Sequence, residues 1–122
     1  MDCLARPQTA EELSNILSQD SRRLYILKFG AEWCAPCKDS AAYFCSLASE
    51  LAANGKNVLF VVIDRDLLEE EFQAYDITSM PTVIAIVNND IKAVVQRPTP
   101  FELREMVKSQ LPTPRLVLDA DF

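Results

Sequence analysis

The sequence predicts one α/β domain built on a central mixed β-sheet with helices on both faces. Three observations carry this. Apolar, β-rich runs alternate with amphipathic helical stretches along the chain, as crossover connections require;. The alternation breaks once, at Asn88-Asn89-Asp90, where a turn alone separates two strand-like runs;. Only two glycines, Gly30 and Gly55, occur in 122 residues, too few for an all-β fold of many turns.

The elements follow in order. Asp2–Arg6 reads as a short edge strand. Thr9 opens a helix, with Thr9 and Glu12 spaced as a capping box and Leu13, Ile16 and Leu17 at helical intervals;. Leu24–Gly30, LYILKFG, is a nearly continuous apolar run and reads as a central strand;. The stretch from Cys37 runs helical to a glycine stop at Gly55;. Asn57–Asp64 is a second buried strand, and DLLEEEFQAYD an amphipathic helix. Met80–Val87 is a third strand, entered through Pro81, and IKAVVQ a fourth. TPFELREMVKSQL closes the domain as a helix with Pro100 near its first turn;. Crossover helices imply parallel strands mid-sheet, and the hairpin adds an antiparallel pair. The domain is expected over 1–111, with 112–122 as a C-terminal tail that could add an edge strand or bind a partner.

Composition narrows the function classes. Hydrophobic residues make up 49% of the chain and charged residues 25%, values that fit a globular domain with one core;. The net charge of −6 argues against nucleic acid or an anionic membrane as partner;. No apolar run reaches the roughly 18 residues of a membrane span. MDCLARPQTAEE lacks the basic-then-apolar pattern of a secretory signal, so a cytoplasmic, reducing setting is expected;. Four cysteines are too few for a disulfide scaffold in a chain this long;.

The residues that carry chemistry are in AEWCAPCKD, Ala31 to Asp39. Cys34 and Cys37 follow a strand and open a helix. Free N–H groups and the helix dipole favour negative charge there, and the thiolate is the nucleophilic form of cysteine. Residues at i and i+3 on a helix lie about 5–6 Å apart at Cβ, and a disulfide needs about 3.5–4.5 Å, so a small adjustment closes the bond. Pro36 is tolerated in a first turn, where no N–H is needed. Trp33 supplies an apolar wall beside the sulfur. Zinc within one chain is not expected: the chain has no histidine, and Cys3 and Cys45 make no second pair;. A metal bridging two chains through the motif is left open.

With Trp33-Cys34-Ala35-Pro36-Cys37-Lys38 and the later Ile77-Thr78-Ser79-Met80-Pro81-Thr82, the chain resembles thioredoxin over roughly Asp2 to Leu111. The resemblance implies the thioredoxin fold and a cis peptide at Met80–Pro81 facing the cysteines. It implies a dithiol–disulfide oxidoreductase that reduces protein disulfides and is recharged by a thioredoxin reductase or similar donor. Such a protein is an electron carrier of cell redox homeostasis, expected as a monomer without metal or bound cofactor. Cys34 would be the attacking thiolate and Cys37 the resolving thiol of a redox-active disulfide. Trp33, Pro36, Met80 and Pro81 would form the substrate-binding surface, with Met80 offering backbone groups to an extended segment. A thioredoxin-like reduction potential of about −270 mV is expected.

The departures from the family matter too. Lys28 stands where thioredoxins carry a buried aspartate thought to move the proton of the resolving cysteine. A charged lysine has no acceptor for that task. It could favour the Cys37 thiolate, lose its own charge on burial and accept a proton, or snorkel away from the cysteines. Val62 stands near the place of that aspartate's usual charged neighbour. Gln96-Arg97-Pro98-Thr99-Pro100 replaces a glycine-bearing loop beside the substrate groove, so partner choice can differ. Cys45 is expected to pack as a small apolar residue. Lys28 and the altered groove loop favour a rival reading, a binding adaptor with a specialised partner and little general reductase activity. The intact cysteine pair opposes it. An isomerase or oxidant would tend to carry histidine between the cysteines, and a glutaredoxin fits the motif and strand order poorly.

Overall fold

The computed structural model describes residues 4–111. Residues 1–3, with Cys3, and the whole tail 112–122 lie outside the described residues. Five strands form one sheet in the order β1-β3-β2-β4-β5, and four helices flank it. The strands are β1 (Leu4–Ala5), β2 (Leu24–Gly30), β3 (Val58–Asp64), β4 (Thr82–Val87) and β5 (Asp90–Gln96). The helices are α1 (Ala10–Leu17), α2 (Ala35–Ala53), α3 (Glu69–Ala74) and α4 (Pro100–Gln110).

β2 is central and buried along its whole length. Its alternation divides the core in two. Leu24 and Ile26 face α2 and α4, where they meet Phe44, Leu47, Leu103 and Val107. Tyr25, Leu27 and Phe29 face α1 and α3, where they meet Leu13, Leu17 and Phe72. Lys28 is in phase with Leu24 and Ile26, so its side chain starts from the α2 face.

Local signals account for most boundaries. Thr9 caps α1 by accepting from the Glu12 N–H at 3.1 Å. Glu12 reaches back one residue further than the expected box, to the Gln8 N–H at 2.6 Å. α2 ends in a Schellman motif: Gly55 sits at φ +69, with Lys56 N–H bonded to Leu51 O and Gly55 N–H to Ala52 O;. Asn88 and Asn89, at φ 53 and 64, make the two-residue turn whose twist suits a hairpin;. Thr99 and Glu102 complete a full capping box on α4, with Pro100 in the first turn;.

One expectation is corrected in detail. β1 and β2 are parallel to β3, but β4 runs antiparallel to β2, with Thr82 opposite Phe29. The link from β3 to β4 is therefore no crossover. α3 has only six residues, about 9 Å of helix, too short to return the chain along a seven-residue strand of about 23 Å;. The chain leaves and re-enters the sheet at the same end, the end where β2 meets the cysteines.

Candidate active site

β2 ends at Gly30, and the chain turns through Ala31–Trp33 into α2. Cys34 is the N-cap residue: its backbone is extended (φ −92, ψ 114), and its sulfur accepts the Cys37 N–H at 3.3 Å. That bond puts a backbone donor on the Cys34 sulfur at the start of the helix. Pro36 stands in the first turn;. Both thiols are free.

The two sulfurs face different surroundings. Cys34 lines a groove of about 380 Å³ together with Trp33, Pro36, Ser79, Met80 and Arg97. Cys37 does not line it. Cys37 borders a second cavity of about 310 Å³ behind the motif, shared with Lys28, Gly30, Val62 and Asp64. Cys37 is packed so closely on the end of β2 that a Cβ at Gly30 would lie 2.8 Å from its sulfur. Burial, and then the hydrogen bond with Cys34, push the Cys37 thiol up to about 11 from 9.0;.

Met80–Pro81 is a cis peptide. The Met80 side chain packs against Ala31, Cys34 and Cys37. Its carbonyl lies 4.0 Å from the Cys34 sulfur, within reach of a weak S–H donor. Pro81 is buried at the entry to β4. Trp33 is 61% exposed, the flank of the groove rather than part of the core.

Lys28 is 6% exposed and does not snorkel. Its Nζ donates to the Cys37 carbonyl at 3.0 Å and lies 5.4 Å from the centre of the Phe44 ring. The same carbonyl accepts from the Ser40 hydroxyl at 2.9 Å. Burial holds Lys28 below the usual lysine value, opposed by the charges of Cys37 and Cys34. In the sheet register Val62 stands directly opposite Lys28, so the expected charged neighbour is absent there.

Four contributors escaped the sequence reading. Asp66, in the turn after β3, accepts the Trp33 indole N–H at 3.3 and 3.2 Å through its two oxygens. Arg97 adopts φ 48, and its Nε donates to the Met80 carbonyl at 3.3 Å. Arg65 and Ser79 line the groove. The Gln96–Pro100 departure pointed at the Arg97 loop and Ser79 lay within the Ile77–Thr82 motif without a role, but nothing local signalled Asp66 or Arg65. Cys45 is corrected: it is exposed. The buried stripe of α2 passes through Phe44, Leu47, Ala48 and Leu51, and Cys45 is rotated about 100° from Phe44;. Among the described residues no group of acidic or cysteine side chains is arranged to hold a metal ion. No helix among them is long and apolar enough to cross a membrane.

A thiol pair at a helix N-terminus, facing a cis-proline loop across a groove in a sheet of this order, defines the class of protein-disulfide oxidoreductases. The chain belongs to the thioredoxin family, whose profile matches residues 5–109. It is 32% identical over 96 residues to thioredoxin-1 of Caenorhabditis elegans, covering 79% of this chain and 80% of that one. It is 31% identical over 105 residues to the peptide-N(4)-(N-acetyl-beta-glucosaminyl)asparagine amidase of the same organism, covering 84% of this chain but 17% of that protein. The crystal structure of Schistosoma mansoni thioredoxin superposes with a TM-score of 0.79 at 32% identity, covering 88% of this chain and 94% of the other.

Proposed function

We propose that the chain is a thioredoxin-type protein-disulfide reductase in which Cys34 attacks and Cys37 resolves. The observation that supports this most is the division of the pair. The groove reaches Cys34, whose sulfur is bonded by the Cys37 N–H, while Cys37 lines the cavity behind the motif instead. The Cys34 thiolate attacks one sulfur of a substrate disulfide. A Cys34–substrate disulfide forms, and the other substrate sulfur leaves as a thiolate and takes a proton. Cys37 then loses its proton and attacks the Cys34 sulfur. The Cys34–Cys37 disulfide forms, and the second substrate thiol is released. Two electrons have passed to the substrate. A thioredoxin reductase or similar dithiol donor in the cytoplasm restores the pair.

Trp33, Pro36, Met80 and Pro81 form the surface on which an extended substrate segment lies. The exposed Trp33 and the Met80 backbone next to Cys34 support that role;. Lys28 tunes the second step. Its ammonium sits on the Cys37 carbonyl, so positive charge stands near the thiol that must ionise;. The adaptor reading keeps one specific support: Arg97 occupies the Met80 carbonyl, which narrows what can pair there.

The test is reduction of insulin disulfides with dithiothreitol as donor. The natural chain accelerates it, and Cys34→Ser abolishes the acceleration. Cys37→Ser accumulates a mixed disulfide. If the natural pair cycles with dithiothreitol but adds nothing to insulin reduction, the general reductase reading fails and the dedicated adaptor takes its place.

A further inference from the structure

Resting on the reductase reading, we infer that the groove selects disulfides flanked by acidic residues, with Arg97 and Arg65 as the specificity-determining side chains. The chain is acidic, with a net charge of −6, yet the groove beside Cys34 is lined by two arginines and no carboxylate. Neither guanidinium pairs with a carboxylate among the described residues. Of the acids beside Arg65, Asp66 is committed to the Trp33 indole and Asp64 borders the separate rear cavity.

The placement of Arg97 carries the argument furthest. At φ 48 the residue occupies a conformation that suits glycine and costs any other side chain about 1 kcal/mol or more;. It is held there by its N–H on the Pro81 carbonyl at 2.7 Å. The side chain then folds onto the Met80 carbonyl through Nε, and that carbonyl lies 4.0 Å from the Cys34 sulfur. Using Nε leaves both terminal NH2 groups of the guanidinium without a protein partner among the described residues. Such a planar fork matches a carboxylate. Arg65 lines the same groove, its backbone N–H on the Gly30 carbonyl at 2.9 Å and its guanidinium 5.7 Å above the Phe72 ring. Ser79 lines the same groove, its hydroxyl oxygen buried without a partner among the described residues. The partner that fits is a protein segment carrying Asp or Glu next to its cysteines.

Three peptides with one internal disulfide, flanked by glutamate, glutamine or lysine, test this. Single-turnover reduction by the reduced chain is expected to favour the glutamate peptide over the lysine peptide by about tenfold at low salt. The preference is expected to shrink toward unity near about 0.5 M salt, where the screening length falls to a few ångströms. Arg65→Glu with Arg97→Glu is expected to reverse the order, which a merely structural role cannot do. Arg97→Gly, which suits the backbone, is expected to reduce the preference in a folded chain. Binding of the reduced peptides to Cys34→Ser measures the same preference without turnover. Equal affinities for all three overturn the inference. Failure of every peptide to be reduced, with the glutamate peptide still bound best, overturns the reductase reading instead.

Discussion

The ammonium of Lys28 donates to the backbone carbonyl of Cys37 at 3.0 Å, inside the sheet face that α2 covers. The acid that the resemblance leads one to expect is thus replaced by a lysine that contacts the peptide of Cys37, the resolving cysteine of the proposed mechanism. In the proposed mechanism resolution needs the Cys37 thiolate, and in the free pair burial, then the hydrogen bond with Cys34, push that thiol up to about 11. Below that value the reactive fraction grows about tenfold per pH unit, so resolution accelerates as pH rises. Lys28 acts in the opposite direction to burial, lowering the thiol. Lys28→Met is therefore expected to raise the Cys37 value further and slow resolution at every pH from 6 to 9, as read by stopped-flow release from a preformed mixed disulfide. Superimposable profiles for the two proteins would remove Lys28 from the proton step. The same replacement takes a charge out of the core, where Ser40 still donates to the freed carbonyl, and is expected to stabilise the fold by on the order of 1 kcal/mol;.

Gly30 is required by contact rather than by backbone conformation. A methyl there meets the Cys37 sulfur at 2.8 Å and its Cβ at 3.3 Å. Cysteine is short and α2 is anchored by its core stripe, so the strain cannot be relieved at a flexible tip. Gly30→Ala is expected to lose about 1–3 kcal/mol of stability and to slow formation of the Cys34–Cys37 disulfide. Urea unfolding of the reduced chain checks the first, and an unchanged midpoint would show that the end of β2 yields more readily than the packing implies.

What could be read from the sequence, and what could not, divides by range. LYILKFG announced β2 because a strand buried on both faces has no polar alternation to hide it. The Asn88–Asn89 turn and the proline inside α4 are local chemistry, legible in a few residues. The Cys34–Cys37 pair was legible because a helix N-terminus is a local electrostatic object. The orientation of β4 was not, because it depends on how far α3 carries the chain back, and DLLEEEFQAYD reads as a longer helix than the six residues formed. Cys45 was misplaced by one residue of helical phase, since Phe44 beside it takes the buried direction. The Trp33–Asp66 contact joins residues 33 positions apart, and no pattern within either segment calls for the other.

Tyr43 ties the long helix to the groove loop. Its hydroxyl donates to the Pro98 carbonyl at 2.6 Å, one residue after Arg97. Tyr43→Phe keeps the ring and deletes the bond, leaving the Pro98 carbonyl short of a partner. The expected cost is about 1 kcal/mol in chemical denaturation. It is expected to be accompanied by faster amide exchange at the Arg97 N–H, whose bond to Pro81 depends on the same loop. Unchanged exchange there would uncouple the loop from α2.

Trp33 is the only tryptophan in the chain, so its fluorescence reports on the groove alone. Its indole is exposed yet oriented by both oxygens of Asp66. A bond between exposed groups adds little to stability, and Asp66→Ala is expected to change unfolding by no more than about 0.5 kcal/mol. Its effect lies in preorganisation: an indole already held beside Cys34 loses less freedom when a substrate covers it, at about 0.5–1.5 kcal/mol per immobilised side chain. Asp66→Ala is expected to lower the fluorescence anisotropy of Trp33 and to reduce kcat/KM for a disulfide peptide by about two- to tenfold, through KM more than kcat. Lower anisotropy with unchanged kcat/KM would mean that the substrate does not use Trp33. Unchanged anisotropy would mean that packing against the motif, rather than Asp66, sets the ring.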